Sequence, residues 1–270
     1  MTANTAVFTD LDGSLLDHDS YSFAAAREAL EKLATLQIPW VLNTSKTAAE
    51  LATLRQRLHN SYPYIVENGA AVVFPDGGVV TAPDDVAVSS PWGRVQALST
   101  GREQILQCIH DWRAQHGELF TGFADMSAPE LCALTGLPHD DAVLALQRDY
   151  SEPIVWRGSE ADWQAFAQML QNAGLKALRG GRFTHVVGDC DKGRAMQWLA
   201  PRLIPGCPAP RCIALGDGEN DVAMLALADD AVVIRSAHHA PPDVPAPQGR
   251  VHITEAVGPA GWNHSLLALL

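Results

Sequence analysis

Ala6-Val7-Phe8-Thr9-Asp10-Leu11-Asp12-Gly13-Ser14 is the stretch from which the fold can be read. Three apolar residues run into two carboxylates, a glycine and a hydroxyl. A short apolar run of this kind reads as a buried strand. Strand alternation puts Asp10 and Asp12 on one side, close together, and Gly13 lets the chain turn sharply. Adjacent carboxylates repel, so a bound cation or a shared proton is expected. A bare D-x-D is more often a solvated loop with a helix cap. D-L-D-G-S at the end of an apolar strand favours chemistry.

Outward from this stretch, strands and helices alternate. Phe23, Leu30 and Leu33 recur at helical spacing. Pro39 to Leu42 reads as a second strand, followed by a helix carrying Leu51, Leu54 and Leu58, and Ile65-Val66 as a third strand. Such alternation predicts a parallel sheet covered on both faces. Residues 70–80, AAVVFPDGGVV, read as a hairpin with an Asp-Gly turn. The proline-bearing TAPDDVAVSSPWG marks a boundary. Beyond it lies a small α+β unit whose helices open at Ser127 with Glu130 and at Ser159 with Asp162, both resembling capping boxes. Its strands are expected at Pro153–Trp156 and Leu175–Leu178. The α/β rhythm resumes near residue 185, with a helix through Met196, Leu199 and Leu203. Strands at Cys212–Leu215 and Ala231–Ile234 flank a helix over 219–228. AHHAPPDVPAPQG is an irregular loop, and Pro259 opens a final helix.

Ligands in sheets of this kind bind at the carboxyl ends of the strands, and three further motifs sit at such places. Asn43-Thr44-Ser45-Lys46-Thr47 offers hydroxyls and backbone N–H groups at a helix start, a cradle for phosphate. Alone it is weak, since Ser and Thr cap helices everywhere. Asp191-Lys192-Gly193 carries one of only four lysines in the chain. Gly216-Asp217-Gly218-Glu219-Asn220-Asp221 brings three acids and an amide to a strand end, which suits a hard cation such as Mg²⁺.

The formal net charge is −12, which gives no electrostatic footprint for nucleic acid or anionic lipid. Neither nucleic acid nor membrane is therefore an expected partner. Five cysteines without a C-x-x-C argue against a disulfide framework or structural zinc. With no signal-like start and no apolar run of membrane length, a cytoplasmic protein is expected.

Taken in order, DLDGS, Thr44, Lys192 and GDGEND resemble the four motifs of the haloacid dehalogenase superfamily. The segment between the second and third resembles a type-II (C2) cap. Thr44–Thr47 (TSKT), Glu67–Ala70 (ENGA), Leu134–Pro138 (LTGLP), Ser151–Arg157 (SEPIVWR), Gly180–His185 (GGRFTH) and Asp191–Gly193 (DKG) further resemble the mannosyl-3-phosphoglycerate phosphatase family. Ser14 stands where Thr is commoner, and the hydroxyl is kept.

The resemblance implies a Rossmann-like parallel-sheet hydrolase core, residues 1–84 and 185–270, with an inserted α+β cap domain over 85–184. It implies a Mg²⁺-dependent phosphatase acting through an aspartyl-phosphate on Asp10, with Asp12 as general acid and then base. Thr44 and Lys192 would bind the phosphoryl oxygens. The metal set is Asp10, Asp12 (through its carbonyl), Asp217 and Asp221, the last orienting the shell with Asn220. The implied substrate is a small phosphorylated glycosyl-glycerate. Ser45, Lys46, Glu67, Asn68, Arg182 and Asn220 are the expected substrate contacts, Arg182 first because a guanidinium suits a carboxylate. Other sugar phosphates, or a catalytically silent sugar-phosphate binder, are the alternatives. The acid/base Asp12 argues against the silent binder.

Overall fold

A computed structural model describes residues 4–83, 88–179 and 183–270, with only the backbone of Arg179. In chain order the elements begin with β1 (Thr5–Thr9), α1 (Arg27–Thr35), β2 (Trp40–Leu42), α2 (Ala48–Arg57), β3 (Tyr64–Val66) and β4 (Ala71–Phe74). Next come β5 (Val88–Ser90), β6 (Gly93–Ala97), α3 (Arg102–His116), β7 (Phe120–Gly122), α4 (Ala128–Thr135) and α5 (His139–Ala145). They are followed by β8 (Ser151–Trp156), α6 (Glu160–Asn172), β9 (Leu175–Arg179) and β10 (Thr184–Gly188). The chain ends with α7 (Lys192–Leu203), β11 (Arg211–Gly216), α8 (Val222–Leu227), β12 (Asp230–Arg235), β13 (Arg250–Val257) and α9 (Gly258–Leu269).

The central sheet is parallel, in the order β13-β12-β11-β1-β2. Side-chain alternation on β1 sends Val7 to one face and Ala6 and Phe8 to the other. Val7 joins a core with Leu42, Leu215, Val232 and Trp262 under α1, α2 and α9. Phe8 joins Val41, Ala214 and Val233 under α7 and α8. Both side chains are fully buried, each worth about 1.5–3 kcal/mol. The strand next to β1 on one side comes from the end of the chain, and on the other from its beginning. The loops leaving β1 and β11 therefore open a crevice at the point where the strand order reverses.

Two antiparallel sheets accompany it. β3-β4-β6-β5 continues from the core through a bridge between Asn43 and Ile65. β7-β8-β10-β9 has its own core of Ile105, Ile109, Phe120, Phe166 and Leu170. Pairing thus groups residues 88–97 with β4, and 184–188 with the inserted unit. Both helix starts expected of the insert are present: the Ser127 N–H donates to Glu130 (2.8 Å) and the Ser159 N–H to Asp162 (3.0 Å).

Two local readings need correction. Residues 70–80 form no hairpin. Asp76-Gly77 does turn, but both edges of β4 are taken by β3 and β6, and Val79 instead donates its N–H to the Ser61 carbonyl. The helix expected over 219–228 begins as a short 3₁₀ turn, Glu219–Asp221, before α8. Strand β13 was not anticipated. It is an edge strand leaving Val251, Ile253 and Val257 exposed, so burial does not mark it in the sequence. Among the described residues no helix is long and apolar enough to cross a membrane.

Candidate active site

Register fixes the first contacts. Thr9 on β1 pairs with Leu215 on β11 and with Leu42 on β2, so the chain segments after all three strands emerge side by side. The Asp10 N–H donates to the Leu215 carbonyl (2.8 Å) and the Asn43 N–H to the Thr9 carbonyl (2.8 Å). A buried relay holds the turn: Trp262 Nε1 donates to Thr9 Oγ1 (2.8 Å), whose hydroxyl donates to the Asp10 carbonyl (2.7 Å). Gly13 has φ +78°, and a Cβ there would lie 2.5 Å from Asp217 Oδ2. The loop can approach the second acidic segment only without a side chain.

Lys192 opens α7, whose N-cap Asp191 accepts from the Arg194 N–H (2.8 Å). Its side chain is fully buried, and Nζ lies 2.6 Å from Asp10 Oδ1 and 2.6 Å from Asp221 Oδ1. Burial opposes the lysine's charge, but the two carboxylates outweigh it and raise its pKa. Gly193 lets α7 approach α8 closely; a Cβ there would meet the Ala223 carbonyl at 2.5 Å. Burial, then the like charge of Asp221, pushes the Asp10 carboxyl up to about 7 against the opposing pull of Lys192. Burial and Asp10 push Asp217 up to about 6.

One carboxylate oxygen each from Asp10, Asp217 and Asp221 lies within 4.8 Å of the others. Three buried acids facing one lysine make an anionic, all-oxygen donor set, which fits a hard divalent cation such as Mg²⁺. Asp221 is occupied otherwise: Oδ1 takes Lys192, and Oδ2 accepts from the Asp217 and Gly218 N–H groups (3.1 and 3.0 Å). It steers the acidic loop, leaving Asp10 and Asp217 as side chains better placed to face an ion. Ser14 Oγ donates to Asp217 Oδ1 at 3.3 Å.

Asp12 leans the other way. It is 2.8 Å from Lys46 Nζ, and its Oδ1 is enclosed with no hydrogen-bond partner among the described residues. Burial opposes the charge on Lys46, but Asp12 and Glu50 raise its pKa. Thr44 is buried, and its Oγ1 accepts from the Lys46 N–H (3.2 Å). Thr47 closes a capping box with Glu50 at the start of α2. Thr44 and Lys46 thus lie just beyond β2, the neighbour of the strand that ends at Asp10.

The other expected contacts divide. Asn220 Nδ2 donates to Asn68 Oδ1 (3.1 Å), so these two amides meet across the crevice. Glu67 is placed for another task. Its carboxylate accepts from the Asp149 and Tyr150 N–H groups (3.0 and 3.2 Å) and from Ser151 Oγ (2.5 Å), with Arg148 at 3.5 Å. Arg148 Nη2 in turn donates to the Ser45 carbonyl (2.5 Å). Glu67 and Ser45 therefore bind the insert to the core. Arg182 lies outside the described residues. His185 is held neutral, its pKa pushed down to about 3 by burial, Arg148 and Lys192.

Two participants were missed. Arg148 reads in sequence as one surface arginine among many. His239 lies in the proline-rich stretch, yet its Nε2 is 3.1 Å from Asp217 Oδ2. No local pattern signals a contact between a loop after β12 and a loop after β11.

Comparison with known proteins bears on the family and the fold. A family model for haloacid dehalogenase-like hydrolases matches residues 7–84 and 159–241. A glucosyl-3-phosphoglycerate/mannosyl-3-phosphoglycerate phosphatase of Methanococcoides burtonii is 34% identical, covering 98% of this chain and 96% of its own. Its namesake from Persephonella marina is 36% identical over the same shares. Among solved structures, protein 0175 of Thermoplasma acidophilum superposes with a TM-score of 0.69 at 14% identity, over 99% of this chain and 98% of its own. The sucrose-phosphatase of Synechocystis gives 0.63 at 13%, over 99% and 98%. At such identities these two structures speak for the fold alone. Strand order, the four motifs at the crevice and the match along both halves of the core lead to one conclusion: the chain belongs to the haloacid dehalogenase-like hydrolase family.

Proposed function

We propose that this chain hydrolyses the phosphate monoester of a glycosyl-3-phosphoglycerate, mannosyl-3-phosphoglycerate first among them, through a phosphorylated Asp10. The observation that carries the reading is the buried Lys192 bridging Asp10 and Asp221 beside Asp217. It holds a carboxylate at the crevice among charges suited to a phosphoryl group. The names of the two relatives support the substrate class, and their double naming keeps the glucosyl compound as the second reading.

Asp10 attacks phosphorus while the bond to the glycerate oxygen breaks, and Asp12 delivers a proton to that oxygen. Asp12 then takes a proton from water, which attacks the aspartyl-phosphate and returns Asp10 with release of inorganic phosphate. Thr44 and Lys192 hold the phosphoryl oxygens. Asp10, the Asp12 carbonyl and Asp217 would hold Mg²⁺, which when bound offsets repulsion between the nucleophile and the phosphate. The insert acts as the cap that selects the leaving group. Sheet pairing supports drawing its edges near residues 98 and 188, somewhat beyond the 85 and 184 expected from sequence. The five free cysteines support a reducing, cytoplasmic setting.

Phosphate release from mannosyl- and glucosyl-3-phosphoglycerate, a hexose phosphate and sucrose phosphate, with and without Mg²⁺, tests this. The expected result is turnover of the phosphoglycerates, abolished by EDTA and restored by Mg²⁺. Full activity in metal-free protein would overturn the metal assignment, and preference for a simple hexose phosphate would overturn the substrate.

A further inference from the structure

The loop after β1 and the loop after β12 meet at the protein surface through side chains that the proposed phosphatase chemistry does not use. The His18 and His238 rings lie against each other at a centroid distance of 4.2 Å and a tilt of 36°. Asp19 Oδ1 is 3.7 Å from His238 Nε2. One donor atom from each of His18, Asp19 and His238 lies within 4.8 Å of the other two. Both loops are braced locally. Ser20 donates from its N–H (2.9 Å) and its hydroxyl (2.7 Å) to Asp17 Oδ1, and the His238 N–H donates to Ser236 Oγ (3.2 Å).

We propose that His18, Asp19 and His238 form a second cation site, selective for a borderline transition-metal ion of the Zn²⁺ class. Two imidazoles and one carboxylate make three of the four ligands such an ion takes, with the exposed side left for water. Nitrogen donors separate it chemically from the all-oxygen cluster of Asp10, Asp217 and Asp221, since Mg²⁺ prefers oxygen and keeps its waters. The net charge of −12 favours cation binding generally. The two sites share no residue, yet they are joined by one peptide bond. His238 precedes His239, whose ring contacts Asp217. An ion at the surface site would fasten the proline-rich loop to the loop after β1, and so hold His239 against Asp217.

Isothermal titration of the full chain with Zn²⁺, in the presence of excess Mg²⁺, tests the proposal. Wild-type protein is expected to bind one ion with a Kd of about micromolar order. His18→Ala and His238→Ala are each expected to weaken binding by about tenfold or more, while Asp217→Asn leaves it unchanged. All three ligands are exposed, so melting curves of the metal-free variants should overlay the wild type. Should one histidine variant fail to fold, Asp19→Asn gives the same readout. Absence of Zn²⁺ binding, or wild-type binding by both histidine variants, would overturn the site. So would loss of binding in Asp217→Asn alone, which would assign the zinc to the acidic cluster. The outcome is independent of whether the enzyme turns over a phosphoglycerate.

Discussion

Two lysines grip the two aspartates of one short loop, and they are buried to different degrees. Lys192 holds Asp10 while fully buried, with Asp221 as a second fixed partner. Lys46 holds Asp12 with its own side chain 17% exposed, against a carboxylate that is 36% exposed. The first pair is enclosed: moving Lys192 would strand two buried carboxylates, and an uncompensated buried charge is costly. The second is only partly enclosed, so Lys46 can exchange it for solvent or an anionic ligand at a lower cost than Lys192 could. The difference matches the work proposed for each aspartate. A nucleophile gains from being fixed, whereas an acid/base group must lose and regain a proton, so Lys46, 2.8 Å from Asp12, has to be able to move away.

Substitutions can break this comparison in graded ways. Asp10→Asn should lower phosphate release by about a thousandfold or more, about 4 kcal/mol in the barrier, with an unchanged circular dichroism spectrum; residual turnover well above that would remove Asp10 as nucleophile. Lys192→Met should cost about 3–5 kcal/mol of stability in urea unfolding without added metal. A cost below about 1 kcal/mol would mean that the buried pair is no firmer than the partly exposed one.

Lys46→Ala should change stability by less than about 1 kcal/mol. It should still reduce kcat/KM for a glycosyl-phosphoglycerate by about tenfold, with little effect on an aryl phosphate that lacks a carboxylate. Equal losses on both substrates would tie Lys46 to the phosphoryl site. The smallest effect is expected away from the crevice, at Asp230. Burial tends to raise its pKa, but Arg211, His252 and Arg250 lower it below the ordinary 3.8. Its contribution is therefore present above pH 3.8 and lost as pH falls through the lower folded value. Asp230→Asn should flatten the acid limb of stability and leave the Lys192 and Lys46 contrasts untouched.

Much of this was legible in the chain. Apolar runs stopping at Asp10, Asn43 and Gly216 marked three sheet ends, because a buried parallel strand shows itself by continuous hydrophobicity. Lys192 stood out through scarcity. What stayed hidden follows from distance and exposure. β13 keeps an exposed apolar face and lacks the burial signature. The contact of His239 with Asp217 joins loops after different strands, and no spacing rule spans it. Glu67 was legible as important but not in its task. Its partners Asp149, Tyr150 and Ser151 lie more than eighty residues away.

That last feature bears on how freely such enzymes can exchange inserted units. Glu67 belongs by sequence to the hydrolase half, yet its buried carboxylate is satisfied by the backbone and hydroxyl of the segment leading into β8. Arg148 returns the favour by capping the Ser45 carbonyl, next to Thr44. A transplanted insert that brought its own loop but not a matching acid at position 67 would bury unfilled donors on one side of the joint. The portable unit in this lineage is therefore larger than the inserted fold. It includes the turn Glu67–Gly69, where Glu67 and Asn68 hold positive φ, and recombination that cuts between that turn and the insert should yield chains that assemble poorly.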